Sequence, residues 1–183
     1  MKNNKATYLD KNLSRINKAL LNSIPEKNYS EITKAIHYSV MNGGKRMRPQ
    51  LMLLMAEALK VDVDKKTIDL MAAAGELIHC YSLIHDDLPA MDDDDFRRGK
   101  LSCHKKFSEA TAILAGDAIQ PLSLEILTSI NDENLSAESK CKIINIFAKA
   151  CGPKGMVEGQ NLDIKAENKK LNEQQLDLSL IHI

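Results

Sequence analysis

Between Leu83 and Gly99 the chain reads LIHDDLPAMDDDDFRRG, in which six aspartates fall within ten residues and Arg97 and Arg98 follow directly. Carboxylates are costly to bury, so a run of this density after the apolar LIHCYSLI segment must face water, a metal or both. Oxygen-only ligands suit hard cations, and Mg2+ in particular is held by a few carboxylates together with the phosphate oxygens of a substrate. Arginine forks grip those same phosphates directly. The combination predicts a site for a magnesium-bound diphosphate. A solvated acidic turn is the plain alternative, but a surface turn has no need of four consecutive aspartates interrupting an apolar helix. An EF-hand is excluded, because the alternating D-x-D-x-D-G loop and its closing Glu are missing.

Within this stretch Asp86 and Asp87 close a predicted helix, and Asp92 lies six residues past Asp86, where a continuing helix would point it away. Pro89 breaks the helical hydrogen bond to His85 and lets the chain turn, so that Asp92 swings back toward Asp86. His79, seven residues before Asp86, lies on the same helical stripe; taken alone it reads more readily as a core histidine than as a ligand. A second cluster is GGKRMRP, in which Gly43 and Gly44 permit a tight turn and Lys45, Arg46 and Arg48 present three cations in four positions. A loop of this kind at a helix start can hold an anion, although short basic loops are commonly just solvated.

These residues need elements to position them, and the periodicity supplies helices. Leu9, Leu13, Ile16 and Leu20 step by three and four from Tyr8 to about Leu21, and Tyr29, Ile32, Ile36 and Val40 repeat the pattern from Asn28 to Met41. Gly43-Gly44 stops that helix, and RPQLMLLMAEALK begins another. Thr67 to Leu88 is apolar on most sides, as expected of a central bundle helix that delivers its C-terminal end to the aspartates. Further helices are expected over Ser108 to Ser129, with a bend at Pro121, from Ser136 to about Cys151, and from Met156 onward. No hairpin dipeptide joins two alternating β-branched runs. The predicted fold class is all-α.

Composition narrows the function. At 183 residues and 44% apolar the chain can fill a real core, and its 25 basic and 25 acidic residues balance, so no global field favours nucleic acid or an anionic membrane. Cys80, Cys103, Cys141 and Cys151 form no C-x-x-C or zinc-finger spacing, and MKNNKATYLDKNLSR lacks the apolar stretch of a signal peptide. No run approaches the ~18 apolar residues of a membrane span, since Glu76 and His79 interrupt the longest candidate. The expectation is a soluble cytoplasmic protein with reduced thiols, no nucleic-acid partner and no stable membrane insertion.

GGKRMRP and HDDLPAMDDDDFRRGK, continued by LSCHKKFSEATAILAGDAI and GMVEGQNLDI, resemble the polyprenyl synthetase family of trans-prenyltransferases, most closely its bacterial short-chain members. The resemblance covers nearly the whole chain. It implies an isoprenoid-synthase-type helical bundle around a central cavity and a set of roles: Lys45, Arg46, Arg48, His79 and Arg98 on isopentenyl diphosphate, Arg97 on the allylic diphosphate, and Asp86, Asp87 and Asp92 on Mg2+. Gln160 and Asp163, from the G-Q-x-x-D pattern, would line the same cavity from another helix. Tyr81, beside the small Ser82, would form the floor of the chain-elongation channel and favour a fifteen-carbon product. The implied enzyme is a homodimeric, Mg2+-dependent prenyltransferase making farnesyl diphosphate; alternatives are a geranyl or geranylgeranyl diphosphate synthase, a non-catalytic prenyl-diphosphate-binding or regulatory subunit, and a simpler helical polyphosphate-binding module. 

Two departures qualify the resemblance. Glu158 stands where the family usually has a small residue, and the family's later K-T pair and second D-D-x-x-D motif have no counterpart downstream of GMVEGQNLDI. Residues 1–177 are therefore expected to be the N-terminal part of one synthase domain, inactive in this form. The final LSLIHI, Leu178 to Ile183, also reads as the translation of a common transposase sequencing adapter, which makes a non-native tail one expectation; a native helix end is the other, since Ile-His also stands just before K-T in the family.

Overall fold

The computed structural model describes residues 2–166 and Glu173; the expected tail at 178–183 lies outside the described residues. The chain divides into two compact units, Met1–Ser136 and Ala137–Ile183, so the boundary falls inside the domain expected over residues 1–177. The first unit holds α1 (Lys2–Ser23), α2 (Glu31–Val40), α3 (Met47–Ala58), α4 (Lys65–Asp86), a two-stranded antiparallel ribbon of β1 (Phe96–Arg97) and β2 (Lys100–Leu101), the one-turn α5 (Cys103–Lys106) and α6 (Glu109–Ser129). The second holds α7 (Ala137–Cys151) and α8 (Met156–Ala166). The fold is all-α apart from the ribbon.

Local chemistry accounts for the helix boundaries. Ser30 caps α2 in a reciprocal capping box, accepting from the Thr33 amide at 3.1 Å while the Thr33 hydroxyl accepts from the Ser30 amide at 2.9 Å. Ser108 caps α6 through the Thr111 amide at 3.1 Å. Pro121 sits inside α6, where its missing N–H removes one helical bond. The ribbon has strands too short to show alternation, and its two-residue turn places both Arg98 (φ 53°) and Gly99 (φ 78°) in the left-handed region, the signature of a type I′ hairpin.

Helix α4 is the hub of the first unit, packed against α1, α2, α3 and α6. Small residues are buried in both α4 and α6, Ala72, Ala73 and Ala74 in the first and Ala112, Ala115 and Gly116 in the second, and at Gly116 the space admits the His85 ring of α4. Ile16 and Leu20 of α1, Ile36 and Val40 of α2, Leu77 of α4 and Ile119 and Leu127 of α6 complete the core. Arg15 pins α1 to α4 through Asp69 at 2.6 Å and the Lys65 carbonyl at 3.0 Å. Asp132, beyond α6, accepts from the Asp64 amide at 2.8 Å and the Thr67 hydroxyl at 2.6 Å, which ties the far end of α6 to the start of α4. By length and composition α6 is also the one described helix that meets the test for a membrane span; part of its apolar surface is buried against α2 and α4. All four cysteines are free thiols.

Candidate active site

Asp86 is the last residue of α4, and the chain then folds back on itself. Leu88 donates to the His85 carbonyl at 3.1 Å, Met91 and Asp93 donate to the Leu88 carbonyl at 2.9 and 3.1 Å, and the Asp92 amide closes on the Asp86 carbonyl at 2.8 Å. The turn at Pro89 thus returns Asp92 to Asp86. Burial, with the Asp92 charge as the next cause, pushes the Asp86 carboxyl up to about 6. Two carboxylates held this close, at the negative end of a helix dipole, form a donor set that a divalent cation fits.

Asp87 behaves differently. It is 2% exposed, and Arg97 donates to its Oδ1 through Nε at 2.8 Å and through Nη2 as well, with a further bond from Nη2 to Asp94 Oδ2 at 3.2 Å. Burial pushes the Asp87 carboxyl above the usual carboxylate range, and the Arg97 guanidinium opposes that shift. Of the three aspartates expected on a metal, Asp87 is the one turned inward; it anchors Arg97 beside Asp86.

The ribbon carrying Arg97 and Arg98 is fastened to the C-terminal end of α2. The Tyr38 hydroxyl donates to the Leu101 carbonyl at 2.7 Å, Asn42 Nδ2 donates to the Arg97 carbonyl at 3.1 Å, and Arg98 Nη1 donates to the Gly43 carbonyl. Arg98 lies against Gly44, whose φ is 111°; a Cβ built there would stand 2.5 Å from Arg98 Cζ and Nη1. The two motifs, about fifty residues apart in sequence, therefore meet face to face, and glycine at 44 leaves the space in which they do so.

Between them opens a basic cleft lined by Asn42, Gly44, Lys45, Arg46, Met47, Arg48, Glu76, His79 and Arg98. Lys45 and Arg48 are exposed to it. Arg48 Nη1 donates to His79 Nε2 at 3.3 Å, and since a guanidinium only donates, that nitrogen is the bare one. Burial, followed by the positive charges of Arg48 and Arg98, lowers the His79 pKa to about 4, so the imidazole is neutral at pH 7.

Arg46 departs from expectation. The sequence groups it with Lys45 and Arg48 as an anion-binding cation, yet its side chain is 1% exposed and pairs with Glu76 Oε1 at 2.8 Å, with Nε on Asn17 Oδ1 at 3.2 Å and Nη2 on the Val40 carbonyl at 2.5 Å. Its charge is committed to the core, because Glu76 is itself buried on α4 and needs a partner there.

Tyr81 is 6% exposed, with the His85 ring edge-on to it at 5.5 Å and 90°. The Ser82 hydroxyl donates back to the His79 carbonyl at 2.9 Å. Gln160 and Asp163 stand one helical turn apart on α8, half-buried and exposed respectively, in the second unit. Glu158, on the same helix, accepts from Asn161 Nδ2 at 3.3 Å. 

Sequence reasoning did not find a further grouping, in which Asp93, Asp95 and His104 bring one ligand atom each within 4.8 Å of one another. Lys105 already pairs with Asp95 at 2.7 Å. The aspartate run was visible, but nothing in the sequence says that α5 folds His104 back onto it. Asn42 and Tyr38 were likewise missed, because their bonds depend on a ribbon that periodicity cannot reveal.

Comparison with known proteins agrees with this geometry. Residues 29–180 match the polyprenyl synthetase family model. The farnesyl diphosphate synthase of Buchnera aphidicola subsp. Acyrthosiphon pisum is 45% identical over 90% of this chain and 58% of its own length, and that of Haemophilus influenzae is 48% identical over 84% of this chain and 50% of its own. The crystal structure of a geranyltransferase from Legionella pneumophila superposes with a TM-score of 0.88 at 42% identity, covering 97% of this chain and 63% of that one. The chain spans about half the length of the curated relatives it matches. With the paired carboxylates, the basic cleft and the family match in agreement, this chain belongs to the polyprenyl synthetase family.

Proposed function

We propose that the site serves a short-chain prenyl diphosphate synthase, which condenses isopentenyl diphosphate with dimethylallyl or geranyl diphosphate to give farnesyl diphosphate. The observation that carries this reading is the bond from Arg98 to the Gly43 carbonyl, which fastens the ribbon that follows the aspartates to the cation-lined cleft. In this reading Lys45, Arg48 and Arg98 grip the isopentenyl diphosphate, with neutral His79 accepting from Arg48. Arg97, anchored on Asp87, presents its charge next to the allylic diphosphate. Asp86 and Asp92 hold Mg2+, which when bound supplies positive charge to the departing diphosphate.

The chemistry asks little more of the protein. The allylic C–O bond breaks and its electron pair leaves with diphosphate; the isopentenyl double bond attacks the resulting carbocation, and a proton is lost to the diphosphate. Arginine charge favours the first step because the leaving group gains negative charge as it departs. Apolar helix faces exclude the water that would otherwise trap the cation. Tyr81 and Ser82 are assigned to the channel floor, Gln160 and Asp163 to substrate binding, and the enzyme to the cytoplasm as a homodimer, all on the strength of the family resemblance.

The test is to express the protein from its complete reading frame and incubate it with dimethylallyl and isopentenyl diphosphates and Mg2+, identifying products by chain length. Farnesyl diphosphate is expected, and Asp86→Ala abolishes it. Failure of the unmodified protein to join the two substrates would overturn the reading.

A further inference from the structure

Asp86 marks the polar end of α4, and the hydrocarbon tail of any diphosphate held there must leave along an apolar path. Five residues down the helix, about 7.5 Å at the α-helical rise, stands Tyr81, and one residue from Asp86 on the Tyr81 side stands His85. The His85 ring is fixed from three directions. Its Nε2 lies 3.1 Å from the Ile113 carbonyl, and a carbonyl only accepts, so Nε2 carries the proton and donates. Asp117 Oδ1 is 3.9 Å from the same nitrogen, outside hydrogen-bond reach. The ring fills a notch on α6 that exists because residue 116 is glycine: a Cβ there would stand 2.5 Å from His85 Cδ2 and closer still to Nε2. Its third contact is the edge-on packing against Tyr81 at 5.5 Å.

Gly116, in short, seats a histidine whose outer edge supports the tyrosine. We propose that His85 is a positioning residue for product length, bracing the Tyr81 ring across the path of the growing chain from its seat on Gly116. This rests on the synthase reading above and adds a specificity determinant to it. Without the brace the Tyr81 ring can rotate aside, and the path below Asp86 lengthens by the width of a ring. Gly116→Ala should act on Tyr81 at second hand, by expelling His85 from the notch.

The experiment measures the product-length distribution of protein made from the complete reading frame, with Mg2+, isopentenyl diphosphate and dimethylallyl diphosphate as the starter. His85→Ala is expected to raise the ratio of products longer than fifteen carbons by about tenfold, the change that a loss on the order of 1.4 kcal/mol in the brace produces. Tyr81→Ala raises it at least as far, and Gly116→Ala raises it in the same direction. His85→Phe, which keeps an aromatic edge against Tyr81, restores the short product. Because the readout is a ratio of lengths, a variant that is merely destabilised lowers total yield without lengthening the product. If Tyr81→Ala lengthens the product while His85→Ala does not, the brace is overturned and the floor stands. If His85→Phe fails to restore the short product, the effect belongs to the bond with Ile113 and the bracing role is likewise overturned. If the unmodified protein joins no substrates at all, the synthase reading fails first and takes the brace with it.

Discussion

Removing Glu76 should reveal what Arg46 does. The pair is sealed, with side chains 1% and 2% exposed and a 2.8 Å bond between Arg46 Nη1 and Glu76 Oε1. Truncating one partner of such a pair costs about 3–5 kcal/mol, because the other charge is stranded. Here Arg46 keeps two acceptors, Asn17 Oδ1 and the Val40 carbonyl, so Glu76→Ala should fall near the lower bound, about 3 kcal/mol. Glu76→Gln retains an oxygen for Nη1 and loses only the charge, so it should cost about 1.5 kcal/mol, the difference between a charged and a neutral hydrogen bond. Arg46→Met combined with Glu76→Leu should return to within about 1 kcal/mol of the starting protein, since an apolar pair of similar volume removes both desolvation penalties. Urea unfolding followed by circular dichroism reads these numbers directly. At a slope of about 2 kcal/mol per molar, Glu76→Ala should lower the midpoint by about 1.5 M with the slope unchanged. A drop under about 0.5 M would refute the buried-pair account. So would a double variant that unfolds normally but loses affinity for inorganic diphosphate, because that result would return Arg46 to the anion-binding cluster.

Two further predictions test the site itself. Asp86 has a carboxyl raised to about 6, so in metal-free protein the folded state holds an extra proton between the ordinary carboxylate range and pH 6, and the destabilisation from Asp86 grows as pH rises through that window; Asp86→Asn should therefore stabilise metal-free protein more at pH 7.5 than at pH 5, and carbon-13 carboxyl NMR should place the titration near 6, with an ordinary carboxylate value refuting it. Gly44→Ala must strain a φ of 111° and displace the Arg98 guanidinium, so it should weaken binding of inorganic diphosphate by about tenfold, the loss of one charge-assisted contact, measured by calorimetry against Gly43→Ala, whose Cβ meets nothing within 4 Å; equal affinity in the two variants would show that Arg98 does not depend on that space.

Much of this architecture is legible in the sequence because its signals are local. Apolar residues at three- and four-residue steps mark α1 and α2, although α2 starts at Glu31 and not at Asn28, because Ser30 caps it. The reversal at Pro89 is legible for the same reason. What escaped is set by distant partners. Three cations in KRMR look alike in sequence, and only the buried position of Glu76 on α4 decides that Arg46 is the one drawn inward. The ribbon escaped because its turn uses Arg98-Gly99 in place of the Asn-Gly that signals a type I′ hairpin, and its strands are two residues long.

The placement of the carboxylates also explains why the arginines must be held so firmly. Asp86 ends a 22-residue helix, where the backbone dipole is negative, and Asp92 is folded back beside it. Burial first, and then the neighbouring Asp92 charge, disfavour the ionised form and raise the Asp86 carboxyl. Arg97 opposes this repulsion but is itself committed to Asp87 and Asp94, so its position is fixed and its charge is shared. A site built this way leaves the pair at Asp86 and Asp92 with unneutralised charge, which favours an incoming cation over an incoming anion. The nearby basic cleft has the opposite bias, with Lys45, Arg48 and Arg98 gathered at its rim while Glu76 is taken up by Arg46. Two adjacent regions of opposite sign can accept a metal-bound anion and a bare anion side by side without either displacing the other, because each is drawn to the charge that the other region lacks. The bond between Arg98 and the Gly43 carbonyl holds those regions together, and the proposed condensation, which joins the hydrocarbon chains of two prenyl diphosphates, requires their spacing to be fixed before either substrate arrives.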